Sequence, residues 1–534
     1  MSEKLIILGA GVMQGPVIHI AKELGFFAIA LDGSSAAPCV SWANQFEQID
    51  LKDKDGIEAF ARSVQGTTDR LGIMTAGTDF SANVAWVAEK LELPGIPYEA
   101  ALNASDKSRM RECFKKAALP SPDFITVTEA ELPLASIPLK FPLVIKPVDN
   151  MGGRGCRRVN NAEELNEAAK TAIGFSRSGH AIIESYMEGP EFSVDAIVYH
   201  GEITYCGLAD RHIFFPPYFI EMGHTMPTVI KEEKQAAILD TFRAGIHALG
   251  IDGEESIGAA KGDIKLTAKG PMIGEIAARL SGGYMSGWTY PYSSGASPIK
   301  GAILAAMGRE PEGLVPTKNW TCAERAFISI PGTVKQIIGA DKVKTINHVN
   351  DFFLRITEGG KVSFPENNVT KCGNIIASAE TRENAVQAAE TAARSILIRL
   401  DPSDTETKAF LSSNSVFPPD AFQLTDELKT YLYKIPDFPA KRANASLSTA
   451  QIYPFLAFTS SNLKDYMGRT VEEVLNIVRF LTGFSLPMTS ENAENIIRLG
   501  RAFWTALIRG SYQGAVWYID NLGEKIDSEP FQKT

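Results

Sequence analysis

The sequence is poor in cysteine and histidine, with six and seven among 534 residues. Cys39, Cys113, Cys156, Cys206, Cys322 and Cys372 are scattered and form no CxxC pair. That spacing argues against a zinc site or a disulfide framework and fits a reducing, cytoplasmic setting. No run of about 20 apolar residues occurs, so no membrane span is expected. MSEKLIILGAG reads directly as the start of a strand, so no secretory leader is expected. Basic charge is not in excess: 53 Lys and Arg stand against 63 Asp and Glu, a net charge of −10. A general nucleic-acid or anionic-membrane binder needs a basic face, so neither partner is expected. The GxxxxGK[ST] phosphate loop is also missing.

What is present is an ordinary globular composition, 45% hydrophobic and 22% charged, in a chain too long for one core. Residues 4–8 read as a strand, 9–15 as a turn, 17–24 as a helix and 26–31 as a strand ending in Asp32, a βαβ unit. The GAGVMQ turn invites a dinucleotide reading, but Gln14 stands where the third glycine of GxGxxG is due. A Rossmann-like domain without NAD is the better reading; an NAD oxidoreductase is a rival resting on that turn alone. Strands at 48–51 and 72–76, with helices at 56–64 and up to Leu91, complete a doubly wound domain. In ASDKSRMRECFKKAA, residues 104–118, Ser105 is expected to cap a helix whose inward side includes Met110 and Phe114. Lys107 then falls in the first turn, where the helix dipole disfavours a cation, which suggests another use.

The stretch FPLVIKPVDNMGGRGCRR, residues 141–158, joins a short apolar strand ending in Lys146 to a turn almost bare of side chains. Pro147 has no N–H and is expected to stop the ladder. Gly152, Gly153 and Gly155 let backbone N–H groups close on a polyanion, and Lys146 and Arg154 add positive charge. The alternative is a glycine-rich surface hairpin. Further on, a helix at 162–173 leads to strands at 181–186 and 191–199. Glu184 and Glu191 flank the turn between those strands. They are either solvated or accept hydrogen bonds from a nucleotide's amine and ribose hydroxyls. Residues 209–227 read as a long irregular segment rich in Pro, Phe and His, of the kind that is functional or mobile. GAAKGDIKL and PMIGEIAAR, at 258–266 and 271–279, form a hairpin with Lys261 and Asp263 on one face. The hairpin can bring Asp263 beside Glu275. Two such carboxylates repel unless a cation bridges them, and Mg2+ suits hard oxygen ligands in that number. The plain alternative is a strand pair with exposed acids.

Lys107 in its DK dipeptide, Lys146 before a glycine loop, Glu184 and Glu191, then Asp263, Glu275 and Arg279 form an ordered set. That set resembles the ATP-grasp superfamily, over about residues 1–400. The resemblance implies that Lys107 and Lys146 contact the phosphates of ATP under a flap at 151–155, which carries Gly152, Gly153 and Gly155. It implies Glu184 with the backbone of Ser185 to Met187 for adenine, Glu191 for ribose, and Asp263 with Glu275 for Mg2+ (Mn2+ being the alternative). Lys261 would stand near the transferring phosphate, and Arg279 would stabilise an acyl phosphate or its tetrahedral adduct. Many members carry Asn two residues after the second metal carboxylate. Here that residue is Ala277, which leaves one metal or two open. The EMGHTMP stretch with Glu221 and His224, and the E-x-x-x-R-L-S-G-G run with Ser281 and Gly282, resemble L-amino-acid ligases and other carboxylate–amine ligases. Those four residues are the substrate candidates.

The expected fold class is α/β and α+β multidomain. It comprises a Rossmann-like domain at 1–103 and a two-lobed ATP-grasp domain at 104–315, with its small lobe at about 120–185. A β-rich lobe at 316–400 resembles the C-terminal region of biotin-carboxylase-like and amino-acid-ligase members. A linker at 401–424 and a helical extension at 425–534 follow, the latter from the apolar faces of EEVLNIVRFL and ENIIRLGRAFWTALI. The implied function is an ADP-forming, Mg-ATP-dependent ligase that activates a small carboxylate as an acyl phosphate and couples it to an amine. An amino acid or peptide-like substrate is expected. Such chemistry needs charge neutralisation and alignment and no protein nucleophile. The rivals are bicarbonate activation, as in carbamoyl phosphate synthetase or biotin carboxylase, and a non-catalytic ATP-binding regulatory protein. A homodimer is compatible with either.

Overall fold

Strand β1 (Lys4–Leu8) has Leu5, Ile6, Ile7 and Leu8 all fully buried, as only a strand covered on both faces allows. It lies inside a parallel sheet in the computed structural model, which describes residues 3–435, 437, 441–443, 458, 461–484, 496–498 and 500–522. With α1 (Gly15–Glu23), β2 (Phe27–Asp32), β3 (Gln45–Gln48), α2 (Lys54–Gln65), β4 (Leu71–Met74) and α3 (Ser81–Lys90) it forms a doubly wound layer of strand order β3-β2-β1-β4. The third strand starts three residues earlier than expected. Its register places Ile29 to Asp32 against Gln45 to Gln48, and the Asn44 carboxamide accepts the Ala28 N–H at 2.9 Å. Gln14 turns inward, accepts the Gly11 N–H at 3.0 Å and donates to the Ala76 carbonyl. Its side chain packs over Gly9, in the turn a dinucleotide pyrophosphate would need.

The chain divides into two compact units, residues 1–325 with 366–368 and 376–389, and residues 326–365 with 369–375 and 390–534. In the first, α4 (Tyr98–Ser105) and α5 (Lys107–Lys116) replace the single expected helix. Asp106, not Ser105, caps α5, its carboxylate accepting the N–H groups of Ser108 (2.8 Å) and Arg109 (3.0 Å). A smaller sheet follows, from β5 (Phe124–Thr128), β6 (Leu143–Pro147), β7 (Arg157–Val159) and β8 (His180–Ser185), in the order β5-β8-β6-β7. Helix α6 (Ala162–Phe175) covers it through Leu165, Ala169 and Ile173. Pro147 stays in the ladder, opposite Ala181.

The large sheet is antiparallel: β9 (Glu191–Tyr199), β10 (Glu202–Phe214), β11 (Ile220–Met226), β12 (Ile257–Thr267) and β13 (Gly270–Ala277), in the order β13-β12-β9-β10-β11. The expected irregular segment at 209–227 is therefore mostly strand. Its backbone groups are paired on both sides, β10 with β9 and β11, and β11 with the Thr321–Phe327 strand. The Pro216-Pro217 pair is confined to the connector. Alternation gives β9 two environments. Phe192, Val194, Ala196 and Val198 pack with Phe114 of α5 and with Phe242 and Ile246 of α7 (Glu232–Leu249). Ser193 and Asp195 take the opposite face. Gly262 lies between Lys261 and Asp263, and a Cβ there would meet the Phe242 ring at 2.5 Å. Its lack of a side chain lets α7 close on the sheet while both neighbours face the other way.

The second unit is organised around the Arg501–Leu522 helix, which breaks at Ser511 (φ 54°, ψ −146°). Phe503, Leu507, Val516 and Ile519 pack with Val474, Leu475 and Val478 of the Val471–Thr482 helix. The expected linker at 401–424 contains a helix, Thr405–Ser412. Asp404 caps it by accepting the Glu406 and Thr407 N–H groups, and Phe410 and Leu411 supply its buried side. In ENIIRLGRAFWTALI, helix begins only at Arg501, because Ile496–Arg498 pairs as a strand with Lys441–Ala443. Much of the remaining extension, including its last eight residues, lies outside the described residues. Among the described residues no helix is long and apolar enough to cross a membrane.

Candidate active site

Lys107, the first residue of α5, is only 6% exposed. Its Nζ donates to the Asn150 carbonyl at 2.8 Å and lies 3.3 Å from Glu275 Oε1. Burial alone would lower its pKa, but Glu275 and Asp79 outweigh burial and raise it, so the lysine stays charged. Lys146 leaves β6 toward the same region, with its Nζ 2.8 Å from Glu184 Oε2. The other oxygen of Glu184 accepts Arg111 Nε at 2.8 Å, and Arg111 Nη2 donates to the Gly274 carbonyl at 2.6 Å. Burial would raise the Glu184 pKa; Arg111 and Lys146 hold it down instead. With its carboxylate engaged by Arg111 and Lys146, Glu184 orients the Lys146 ammonium. In the backbone after it, the Ser185 N–H donates to the Asp123 carbonyl and the Tyr186 N–H to that of Pro142, while Met187 is half-buried. Tyr186 adds an aromatic face, with the Arg158 guanidinium 4.5 Å above its ring.

Gly152, Gly153 and Gly155 have φ of 71°, 76° and 68°, left-handed values that suit glycine. The loop they form is tied from an unanticipated direction. The Asn368 N–H donates to the Gly152 carbonyl at 2.8 Å, and its side-chain Oδ1 accepts the Glu221 N–H at 2.8 Å. One residue thus joins the glycine loop to a substrate candidate. Asn368→Ala is expected to raise the KM of any substrate that binds at Glu221 about two- to tenfold, the range of one lost hydrogen bond. The KM for ATP should change less, since the backbone bond to Gly152 survives. Steady-state kinetics with each substrate varied in turn check this.

Asp263 and Glu275 are register partners across the β12–β13 hairpin. Asp263 accepts the Ser193 hydroxyl at 3.0 Å and pairs with Lys261 and, at 2.8 Å, with Arg211. Burial would raise the Glu275 pKa, but Lys107, Lys261, Lys146 and Arg279 together hold it well below the usual carboxylate range. Arg211 was not singled out as a site residue from sequence. It sits among Glu191, Glu221 (2.8 Å) and Asp263, and no local motif marks it because its partners lie on three strands. Lys265 is 3.7 Å from Glu191. Among the described residues no three His, Cys, Asp or Glu side chains are placed so that they could hold a metal ion by themselves. A pair of carboxylates fits Mg2+, which keeps waters and takes further oxygens from substrate phosphates. Ala277 stands opposite Lys261 in the hairpin and offers no side-chain ligand.

His224 is fully buried. Its Nε2 lies 3.0 Å from Thr289 Oγ1, and its Nδ1 lies 3.3 Å from Glu324 and 3.7 Å from Glu221. Burial would lower its pKa, but the two glutamates raise it. At 0% exposure it can only act through Glu221. Neighbouring His212, by contrast, is pushed down to about 3 by burial and the Arg325 charge, and is neutral. Ser281 directs its hydroxyl (2.6 Å) and N–H (3.1 Å) to Asp195, a buried carboxylate that burial pushes up to about 6. Ser281 is thereby a strut. Gly282 lies against Gly77, and a Cβ on either would come within 3.2 Å of the other's Cα. Arg279 donates through Nη1 to the Leu280 carbonyl at 3.1 Å. The structure therefore gathers Lys107, Lys146, Glu184, Lys261, Asp263 and Glu275 into one charged cluster. Glu191 and Glu221 join it through Arg211.

A strand-borne lysine, a glycine loop and a carboxylate hairpin thus belong to one compact unit of the chain. Residues 139–286 match the ATP-grasp domain family, and residues 326–401 match the L-amino acid ligase C-terminal domain 2. The chain thus carries an ATP-grasp domain together with this ligase-associated domain. It is 26% identical over 251 residues to the D-alanine--D-alanine ligase of Pseudomonas putida strain GB-1, covering 43% of this chain and 77% of that protein. It is 23% identical over 333 residues to carnosine synthase 1 of Gallus gallus, covering 58% of this chain but only 35% of that one. The crystal structure of L-amino acid ligase from Bacillus licheniformis has the same fold. Its TM-score is 0.63 at 22% identity, over 75% of this chain and 99% of that one.

Proposed function

We propose that the protein is an ADP-forming ligase that uses Mg-ATP to join a small carboxylic acid, of amino-acid or peptide type, to an amine. The observation that carries this reading is the Asp263–Glu275 pair, set between Lys107, Lys261 and Arg211. Relatives that act as carboxylate–amine ligases support it. In the reaction, a carboxylate oxygen of the acid attacks the γ-phosphorus, and the bond from that phosphorus to the bridging oxygen breaks, releasing ADP. The amine lone pair then attacks the acyl carbon, the carbon–oxygen bond to phosphate breaks, and the amine proton passes to solvent. Lys107 and Lys146 hold the phosphates, Lys261 neutralises charge as the phosphoryl group moves, and Arg279 holds the acid and later the adduct oxygen. Asp263 and Glu275 would hold Mg2+, which when bound neutralises phosphate charge. The glycine loop excludes water, the competing nucleophile.

The test is phosphate release from Mg-ATP with pools of amino acids, dipeptides, other small acids and bicarbonate. Release that needs both an amino-acid-type acid and an amine is the expected result. Release with bicarbonate alone, or none above the background with any pool, contradicts the reading.

A further inference from the structure

We propose, resting on the ligase reading, that the acid substrate carries a small aliphatic side chain, seated in a cavity beside Arg279. The cavity measures about 50 Å3 and lies between the N-terminal layer and the large sheet. Ile73, Ile96, Ile257, Ala259 and Ala302 form its apolar walls, and Arg279 is its one charged lining residue. Protein interiors rarely leave a space larger than a water molecule, so a void bordering a catalytic guanidinium is a candidate for ligand.

Position links it to the chemistry. Ile257, Ala259, Lys261 and Asp263 share one face of β12 by alternation. The cavity borders that face at Ala259 and Ile257, starting one step beyond Lys261, and also reaches Gly258, whose side of the strand faces Ile96. Arg279 lies two residues past Ala277, the register partner of Lys261, in the direction of Ala259. An acid with its carboxylate between Lys261 and Arg279 would place its substituent toward that cavity.

Chemistry and size then select the substituent. Among the described residues no carboxylate lines the cavity, so a basic side chain finds no partner. An acidic one would compete with the reacting carboxylate for Arg279. Of the two lining hydroxyls, that of Thr75 already donates to the Leu8 carbonyl at 2.8 Å. One water-sized sphere takes roughly 10–15 Å3 of such space, so the cavity holds about three to five carbons. That matches valine- or leucine-sized acids.

The test is acid-dependent phosphate release by the full chain with glycinamide as the fixed amine, in excess, and glycine, alanine, valine, leucine, phenylalanine, lysine and glutamate as the varied acid. Wild type should prefer valine or leucine to lysine and glutamate by about tenfold or more in kcat/KM. Ala259→Leu, which fills the cavity from the strand, should lower kcat/KM for valine about tenfold more than for glycine. Ile96→Ala opens the opposite wall and should raise the phenylalanine-to-valine ratio about fivefold, a gain that misfolding cannot mimic if Ala259→Leu does not fold. A wild-type preference for charged acids, or unchanged ratios in folded variants, would overturn the proposal alone. No acid-dependent release with any substrate would overturn the ligase reading and the proposal with it.

Discussion

Replacing Lys146 with alanine is expected to lower kcat for ATP-dependent turnover by about a hundred- to a thousandfold, the usual cost of losing one preorganised charge at a reacting centre. The fold should survive, because Glu184 keeps its 2.8 Å bond to Arg111. The variant should therefore melt close to wild type while releasing almost no phosphate. Lys146→Arg should restore little, since a planar guanidinium cannot replace a compact ammonium held 2.8 Å from Glu184. Phosphate release and melting temperature measured on the same samples separate the two effects. Wild-type turnover in Lys146→Ala would refute the placement of the phosphates.

Glu184→Ala should do the opposite to stability. It leaves Arg111, 1% exposed, and Lys146 without their shared carboxylate. Breaking a buried pair from one side costs about 3–5 kcal/mol, and turnover should fall as well because Lys146 loses its orientation. The pH dependence has a definite sign. The folded-state pKa of Glu184 is lowered, so its stabilisation is fully present above the unfolded glutamate value of about 4.3. It is lost as pH falls through the folded value. The melting difference between wild type and Glu184→Ala should therefore be largest near neutrality and shrink in acid. A constant difference from neutral pH down to about 3 would mean that the ion pair is not the source of the stability.

Local pattern and long-range register explain what was legible in the sequence. The Glu191–Tyr199 strand has the residues its alternation indicates, and β12 and β13 meet through a hairpin turn short enough to fix Asp263 against Glu275. Gln14 made the dinucleotide reading of the GAGVMQ turn the weaker one in the sequence, and in the structure its side chain packs over Gly9. The α5 cap was displaced by one residue because Ser105 and Asp106 are both capping types; only the geometry shows Asp106 taking two N–H groups. Residues 209–227 looked irregular because their prolines and phenylalanines hide a period that the neighbouring strands impose. Arg111, Arg211, Asp195 and Asn368 could not be found by spacing. Each gains its role from a partner on another element, up to 163 residues away for Arg111 and 216 for Asn368.

The central claim is that the acid is activated by phosphoryl transfer to its own carboxylate. A heavy-oxygen label in that carboxylate tests it most directly. Incubated with Mg-ATP and an amine, the protein should deliver one labelled oxygen into the released phosphate for each amide formed, with ADP as the nucleotide product. Unlabelled phosphate, with ADP formed whether or not the acid is present, would show that the site hydrolyses ATP without activating an acid and would contradict the assignment.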